Sequence, residues 1–186
     1  FPYTTLFRSI PPQSYEINGN QIFFPKDQKA GGTWIAQTEN KIVVLLNGAQ
    51  EKHIKKSFYR KSRGLIVLEI ASSKNSLEHW KTIDLTNIEP FTIVLFENNK
   101  LFQLQWNEVK KSQEELAISE HYIWSSSTLY SKEIRIERAK WFANFMHKNT
   151  NPTAQDILDF HQFTESKNEE LKIQQIDESL DSEGNS

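Results

Sequence analysis

Two predicted strands and the turn between them occupy residues 33–48, which read TWIAQTENKIVVLLNG. Residues 33–38 are typical of a strand, Glu39-Asn40 of a turn, and residues 41–47 of a returning strand. Because the run from residue 42 to residue 46 is entirely apolar, we expect the returning strand to be buried. Gly48 ends that strand, so the stretch predicts an antiparallel hairpin.

Other segments on both sides of this hairpin carry the same strand and turn signals. The remaining predicted strands are residues 22–24, stopped by Pro25; residues 91–96 and 101–106, joined through Asn98-Asn99; and residues 121–125. Hairpins join neighbouring strands in antiparallel fashion, and helical segments are grouped between them. The pattern therefore predicts the α+β class with antiparallel sheets.

Helix signals occur in four segments. Ser62 can cap a first helix, Asn75 or Ser76 can begin a short second one, residues 131–147 form the clearest helix, and Thr153-Ala154-Gln155-Asp156 resembles a capping box before a last one. In the third helix, Ile134, Arg138, Trp141, Phe142 and Phe145 recur at steps of three and four residues. We expect that face to pack in the core.

Composition excludes several classes of protein. The chain has 186 residues, a net charge of −2 and no Cys, which predicts one domain and excludes a disulfide scaffold, a Cys-ligated metal and a cysteine nucleophile within the given sequence. The five His residues are scattered, so we predict no metal site. With no apolar run long enough to span a membrane and no signal peptide, we expect a cytoplasmic protein without an integral membrane segment.

The two ends differ from the body of the chain. Residues 1–9, FPYTTLFRS, resemble the in-frame translation of a common sequencing adapter, so we expect the natural sequence to enter near Ile10 and its own N-terminus to be missing. Residues 165–186 are acidic, and we predict a flexible tail there. One domain is predicted over residues 10–164.

Two features are candidates for binding chemistry. Residues 52–63 hold six bases interleaved with His53, Phe58 and Tyr59, a mixture that could bind phosphates, bases or a carboxylated ligand, or form a solvated loop. Asn47 stands where the apolar strand meets the Gly48 turn. Its amide could donate to an oxyanion or a ligand carbonyl, or the residue could serve only the turn.

Five motifs in order carry a resemblance to a known family. They are Ala30-Gly31-Gly32-Thr33-Trp34, Leu46-Asn47-Gly48, residues 59–65 (YRKSRGL), Glu89-Pro90-Phe91, and residues 124–130 (WSSSTLY). Together, over roughly residues 11–163, they resemble the NRDE family, also called the transport and Golgi organisation 2 proteins, in a version similar to bacterial members.

The resemblance implies a fold like that of the N-terminal-nucleophile hydrolases, an αββα sandwich of two antiparallel sheets with outer helices. In that superfamily the N-terminal residue is the nucleophile and its amine is the base. Family members typically begin with Met-Cys, followed by the Asn-Arg-Asp-Glu motif, and carry a Thr-Val-Ser strand near the C-terminus. The sequence contains none of these, so the resemblance implies an incomplete sandwich that lacks its N-terminal strands, and an inactive fragment.

Three functions follow as hypotheses. The first is a non-catalytic carrier of an apolar anion such as haem or a lipid, because animal members of the family are linked to haem and lipid handling. The second is an acyl-amide hydrolase whose Cys nucleophile is missing from this sequence, with Asn47 as the candidate oxyanion donor. The third, a nucleic-acid module, we rank last and predict to be absent. No resident cofactor is predicted.

The resemblance also suggests residues for a small-molecule ligand whose identity it leaves open. The candidate ligand-binding residues are Gly32, Thr33, Trp34, Asn47, Arg60, Arg63, Ser126 and Thr128.

Overall fold

The computed structural model describes residues 9–162. Its strands are β1 (Ser9–Ile17), β2 (Asn20–Asp27), β3 (Ile35–Gln37), β4 (Lys41–Asn47), β5 (Phe91–Glu97), β6 (Lys100–Trp106) and β7 (Lys111–Leu116). Its helices are α1 (Arg63–Ser72), α2 (Ser76–Thr82), α3 (Lys132–Lys148) and α4 (Ala154–Gln162). The α+β class is confirmed. The predicted boundaries at residues 9 and 165 stay predictions, because residues 1–8 and 163–186 lie outside the described part.

The strands form one seven-stranded antiparallel sheet in the order in which they occur in the chain. Helices α1 and α2 lie in the connection between β4 and β5. The described residues divide into two compact units, with the boundary within α3: the first unit ends at Lys140 and the second starts at Trp141. Among residues 9–162, no helix is long and apolar enough to cross a bilayer.

One face of the sheet packs against α1 and α2. Phe91, Ile93 and Leu95 of β5 are fully buried there, together with Ile66 of α1 and Trp80 of α2. The Trp80 and Phe91 rings meet edge to face with their centroids 5.9 Å apart, the geometry that aromatic quadrupoles favour. We call this side of the sheet the covered face.

Local capping explains where both helices begin and how the second one ends. The Ser62 side chain accepts a hydrogen bond from the Gly64 N–H, which confirms the predicted cap of α1. Asn75 accepts one from the Glu78 N–H, so Asn75 is the cap of α2 and Ser76, the other predicted start, is its first residue. At the other end of α2, the Lys111 ammonium donates to the carbonyls of Trp80, Lys81 and Ile83. Burial lowers the pKa of Lys111.

A buried ion pair links the covered face to the junction of α1 and α2. Lys41 Nζ lies 3.0 Å from Glu97 Oε1, with 5% and 9% of the two side chains exposed. Lys41 also donates to the Ser73 carbonyl, and the Ser76 hydroxyl donates to Glu97 at 3.1 Å. These extra hydrogen bonds offset part of the cost of removing two charges from water.

The opposite face of the sheet is only half covered within residues 9–162, and we call it the open face. Ile42 is 41% exposed, Phe23 47% and Ile35 38%. The predicted hairpin is confirmed, but the expectation that residues 42–46 are buried as a whole is wrong, because successive side chains point to opposite faces. A sandwich of two sheets is not seen in the described part, which contains this one sheet.

Two strand predictions are wrong at their boundaries or in kind. Strand β2 continues through Pro25 to Asp27, because the β1–β2 register shifts between Ile10 and Gln13 and a bulge there tolerates a residue without N–H. Residues 121–125 form no strand. Strand β7, which the sequence analysis did not predict, reads KSQEEL and lies at the sheet edge, where polar side chains are common.

The third predicted helix exists, but its expected role in the core is wrong. None of the residues of α3 is buried, and Trp141, Phe142 and Phe145 are half-buried. Phe142 and Phe145 instead pack with Phe160 of α4, at centroid distances of 5.5 and 5.0 Å. The capping box of α4 is confirmed by reciprocal hydrogen bonds between Thr153 and Asp156. The Thr153 hydroxyl and N–H both donate to the Asp156 carboxylate, which lowers the pKa of that carboxyl.

Candidate functional site

The five motifs quoted from the sequence meet around the start of α1, the end of β4 and the start of β5. The first contact is between glycines: a Cβ on Gly32 would lie 2.5 Å from the Gly64 carbonyl carbon. Thr33 N–H donates to the Gly64 carbonyl at 3.2 Å, and the Thr33 hydroxyl donates to Ile35. Both positions therefore require glycine because two backbones touch there.

Arg63 links the third motif to the fourth. Its guanidinium donates to the Pro90 carbonyl at 3.1 Å and pairs with Glu89 Oε2 at 3.1 Å. The other Glu89 oxygen lies 3.2 Å from His53 Nε2, so an acidic side chain stands between two basic ones. Burial lowers the pKa of Arg63, and the neighbouring Glu89 carboxylate opposes that change.

The second and fifth motifs meet at the end of β4. Ser126 Oγ donates to the Asn47 carbonyl at 2.7 Å and contacts the Thr128 hydroxyl at 2.8 Å. Gly48 has φ +82°, and a Cβ there would lie 2.2 Å from Ser127 Oγ. Gly48 N–H also donates to the Pro90 carbonyl, which joins this contact to the fourth motif.

A cleft of about 520 Å³ opens next to this junction on the open face of the sheet. Its apolar wall is formed by Leu46, Ala49, Ile123, Trp124, Ile136 and Ala139. Its polar lining is formed by Gln50, Glu51, Thr92, Gln103, Gln105, Ser125, Lys132 and Arg135, and Gly48 also lines the cleft. A volume of this size suits a small molecule. We call this cavity the cleft.

Hydrogen bonds fix the polar side of the cleft. Trp124 Nε1 donates to Gln103 Oε1 at 2.8 Å, and Gln105 Nε2 donates to the Thr92 hydroxyl at 3.1 Å. Arg135 Nη2 donates to the Gln50 carbonyl at 2.7 Å, while its buried Nε has no hydrogen-bond partner in the described part of the chain. The positive charge of the lining therefore comes from side chains of α3 and lies beside the apolar wall.

All five motifs lie within a single match to a known family. Residues 6–185 match the family described as Transport and Golgi organisation 2. The chain belongs to the Transport and Golgi organisation 2 family. No curated protein matches it at a significant level.

Asn47, the residue that the family resemblance suggested as an oxyanion donor, lies beside the cleft rather than in its lining. It is exposed and stands in register with Phe91, on the covered-face side of the strand, whereas Leu46 lines the cleft on the open face. Its carbonyl, not its amide, makes the contact with Ser126. Its role as a donor stays a prediction.

The other predicted ligand-binding residues of this family member separate into two groups. Gly32, Thr33, Arg63, Ser126 and Thr128 belong to the junction of the motifs. Arg60 lies away from that junction: it donates to Asp84 and to the Thr86 carbonyl, and hydrogen bonds from Thr86 lower the pKa of Asp84. Trp34 is 48% exposed and does not line the cleft.

Sequence reasoning missed the residues that give the cleft of this Transport and Golgi organisation 2 chain its charge. Lys132, Arg135, Ile136 and Ala139 recur at helical spacing, so they share one side of α3. The sequence analysis selected the more aromatic stripe of the same helix instead. The signal in the sequence was this second stripe, which carries two bases. Its function as a cleft lining could be recognised only from the sheet that lies beside it in the structure.

Proposed function

We propose that the protein binds an apolar anion of the acyl-chain type in the cleft and acts as a carrier. The observation that carries the proposal is the pairing of an apolar wall, which includes Trp124 and Ile136, with Lys132 and Arg135 at one end. An acyl chain would remove apolar surface from water against the wall. Its carboxylate or phosphate would pair with the two bases, and Arg suits such groups because it can bind them with two donors.

Charge balance in the lining agrees with a ligand of low negative charge. Glu51 also lines the cleft, so its negative charge opposes one of the two bases. The excess of one positive charge favours a monoanionic group over a highly charged one such as a nucleic acid.

Haem fits the lining less well than an acyl anion does. The haem propionates could pair with Lys132 and Arg135. The lining contains no His, Cys, Met or Tyr, however, which are the residues that usually bind haem iron. Haem is therefore tested in the experiment below as the alternative ligand. For the hydrolase alternative, the given sequence offers no cysteine nucleophile, and no contact in the described part favours it.

We propose that the cleft belongs to a sandwich of two antiparallel sheets, the fold that the family resemblance implies. The half-exposed apolar side chains of the open face, such as Ile42 and Phe23, are what a second antiparallel sheet would cover. The cleft lies on that same face and would then lie between layers, a common position for ligand sites. We keep the cytoplasm, expected from the sequence, as the proposed location.

The experiment is a titration with a fluorescent fatty-acid analogue, with haem titrated separately by absorbance. We expect Arg135→Gln to weaken binding of the analogue by about tenfold to a hundredfold, because a hydrogen bond to a charged group contributes about 1.5–3 kcal/mol. Lys132→Gln, at an exposed residue, should weaken it by a smaller factor. Lys140→Gln is the matched control, because Lys140 is an exposed base on the same helix outside the lining.

The results separate the hypotheses. Weaker binding in the Arg135 and Lys132 variants but not in the Lys140 variant supports the carrier. Equal binding in all three variants contradicts the proposed site. Tight haem binding that is unaffected by the Arg135 change would place haem elsewhere and remove the cleft as a carrier site for it.

A further inference from the structure

The segment between β4 and α1 exposes large apolar side chains among bases. We call residues 52–61 the basic loop. Ile54 is 92% exposed and Phe58 is 66% exposed, and Lys52, Lys55 and Lys56 lie next to them in the sequence. Single exposed apolar residues are common on protein surfaces. Two large ones within one basic loop are typical of a surface that contacts a partner.

The basic loop is pinned to the fold at several points although it has no regular secondary structure. His53 contacts Glu89 at 3.2 Å, Lys56 pairs with Glu108 at 3.2 Å, and Arg60 pairs with Asp84 at 3.0 Å. These contacts lie on both sides of Ile54 and Phe58. The two apolar side chains are therefore presented to solvent by a loop that is held in place.

Not all of the bases are used inside the fold. Lys56, Arg60 and Lys61 form ion pairs, the last with Glu69, whereas Lys52 and Lys55 form none with the residues that the structure describes. The pair between Lys56 and Glu108 also connects the loop to the β6–β7 turn. The tip of that turn carries Val109, 86% exposed, and an exposed Lys110.

The chemistry of this surface matches an anionic lipid bilayer. Free Lys side chains are attracted to anionic headgroups, and apolar side chains between them gain by entering the boundary between headgroups and acyl chains. Nucleic acid would satisfy the bases but would leave an aliphatic residue such as Ile54 exposed. We propose that the basic loop docks the protein on the surface of an anionic membrane.

The position of the loop gives this docking a consequence for the cleft. Gly48, Ala49, Gln50 and Glu51 line the cleft, and the basic loop follows them directly in the chain. A protein docked through Ile54 would hold residues 48–51, which line one part of the cleft, near the bilayer. The docking itself does not depend on the proposed ligand, because it uses none of the cleft side chains.

The first test is flotation of the full chain with phosphatidylcholine vesicles that contain or lack phosphatidylserine. We expect binding only with phosphatidylserine. The double variant Lys52→Gln/Lys55→Gln should bind about thirtyfold more weakly, since each Lys near an anionic surface changes the partition by about fivefold. Ile54→Ser/Phe58→Ser should lower binding by about tenfold or more. Because all four side chains are exposed, these variants should fold normally.

Matched controls are Lys140→Gln and Ile118→Ser, since Lys140 is exposed and Ile118 is 60% exposed outside the loop. Arg135→Gln in the cleft should leave flotation unchanged, which separates failure of docking from failure of the carrier proposal. Flotation that is independent of phosphatidylserine, or equal loss in the loop and control variants, would overturn the inference.

The second test reports insertion directly. Because the chain has no Cys, Ile54→Cys introduces a single thiol that takes an environment-sensitive dye. We expect a blue shift of its emission on vesicles with phosphatidylserine and none for the same dye on Ile118→Cys. Binding of the unlabelled chain to a soluble acidic polymer without any blue shift on vesicles would assign the loop to another acidic partner and would refute membrane docking.

Discussion

Both faces of the sheet carry large apolar side chains, but the two faces differ in what packs against them. On the covered face, Phe91, Ile93 and Leu95 are fully buried under α1 and α2. On the open face, Ile42 and Phe23 remain 41% and 47% exposed within the described part. In β4 apolar side chains point both ways, so there the difference lies in the neighbouring layer. In β6 the sequence also contributes, because Gln103 and Gln105 point to the open face.

The largest expected effect comes from removing a side chain from the covered face. Phe91→Ala should lower the free energy of unfolding by about 3–5 kcal/mol, because Phe91 is fully buried and contacts Trp80. Ile42→Ala, the matched change on the open face, should lower it by about 1 kcal/mol or less, because that side chain already contacts solvent. Urea denaturation measures both, and equal losses would mean that the open face is also packed.

The next effect concerns charge on the covered face. Lys41→Met should lower the free energy of unfolding by about 3 kcal/mol, because it leaves the Glu97 carboxylate buried without its partner. Lys100→Met breaks an exposed pair with Glu115 and should lower it by less than about 1 kcal/mol. The measurement is again urea denaturation of each variant.

A double variant completes this test. Lys41→Met/Glu97→Leu removes both charges and should regain most of the lost stability, because an apolar pair can replace a buried ion pair at little cost. A double variant as unstable as Lys41→Met alone would show that hydrogen bonds to Ser73 and Ser76, rather than the paired charges, hold this junction together.

The smallest expected effect is a change in the reaction rate of a thiol placed on the open face. This rate decides whether the two faces also differ in the whole chain. In the chain, which has no Cys, Ile42→Cys places one thiol on the open face. If a second layer covers that face, the thiol should react with a thiol reagent more than about tenfold more slowly than the thiol of Ile118→Cys. Equal reaction rates would contradict the proposed sandwich.

Local signals in the sequence were sufficient for the elements around the covered face. Ser62 and Asn75 cap α1 and α2 as predicted, because a short polar side chain satisfies the free N–H groups of a helix start. Asn98 and Asn99 adopt φ of +53° and +59° in the β5–β6 turn, as the turn chemistry requires. These features depend only on residues close in the chain.

Features that depend on distant residues were predicted poorly. The polar strand β7 pairs because β6 offers it an edge, and its sequence carries no strand signal. Aromatic spacing in α3 suggested a core face, yet none of its residues is buried. For the candidate site, the sequence analysis named Asn47, Ser126 and Thr128 as candidate ligand-binding residues, and the structure brings them into contact with one another. It missed Lys132 and Arg135.

The sequence by itself determined the family, the α+β class, the helix caps and the turns, because these follow from motifs and from contacts between residues near in the chain. Only the tertiary structure decided which apolar residues are buried and which bases face the cleft. The close approach of Gly32 to Gly64 shows the reason: two backbones distant in sequence touch there. Such contacts arise when packed layers bring elements together, and no local pattern encodes which layer will be present.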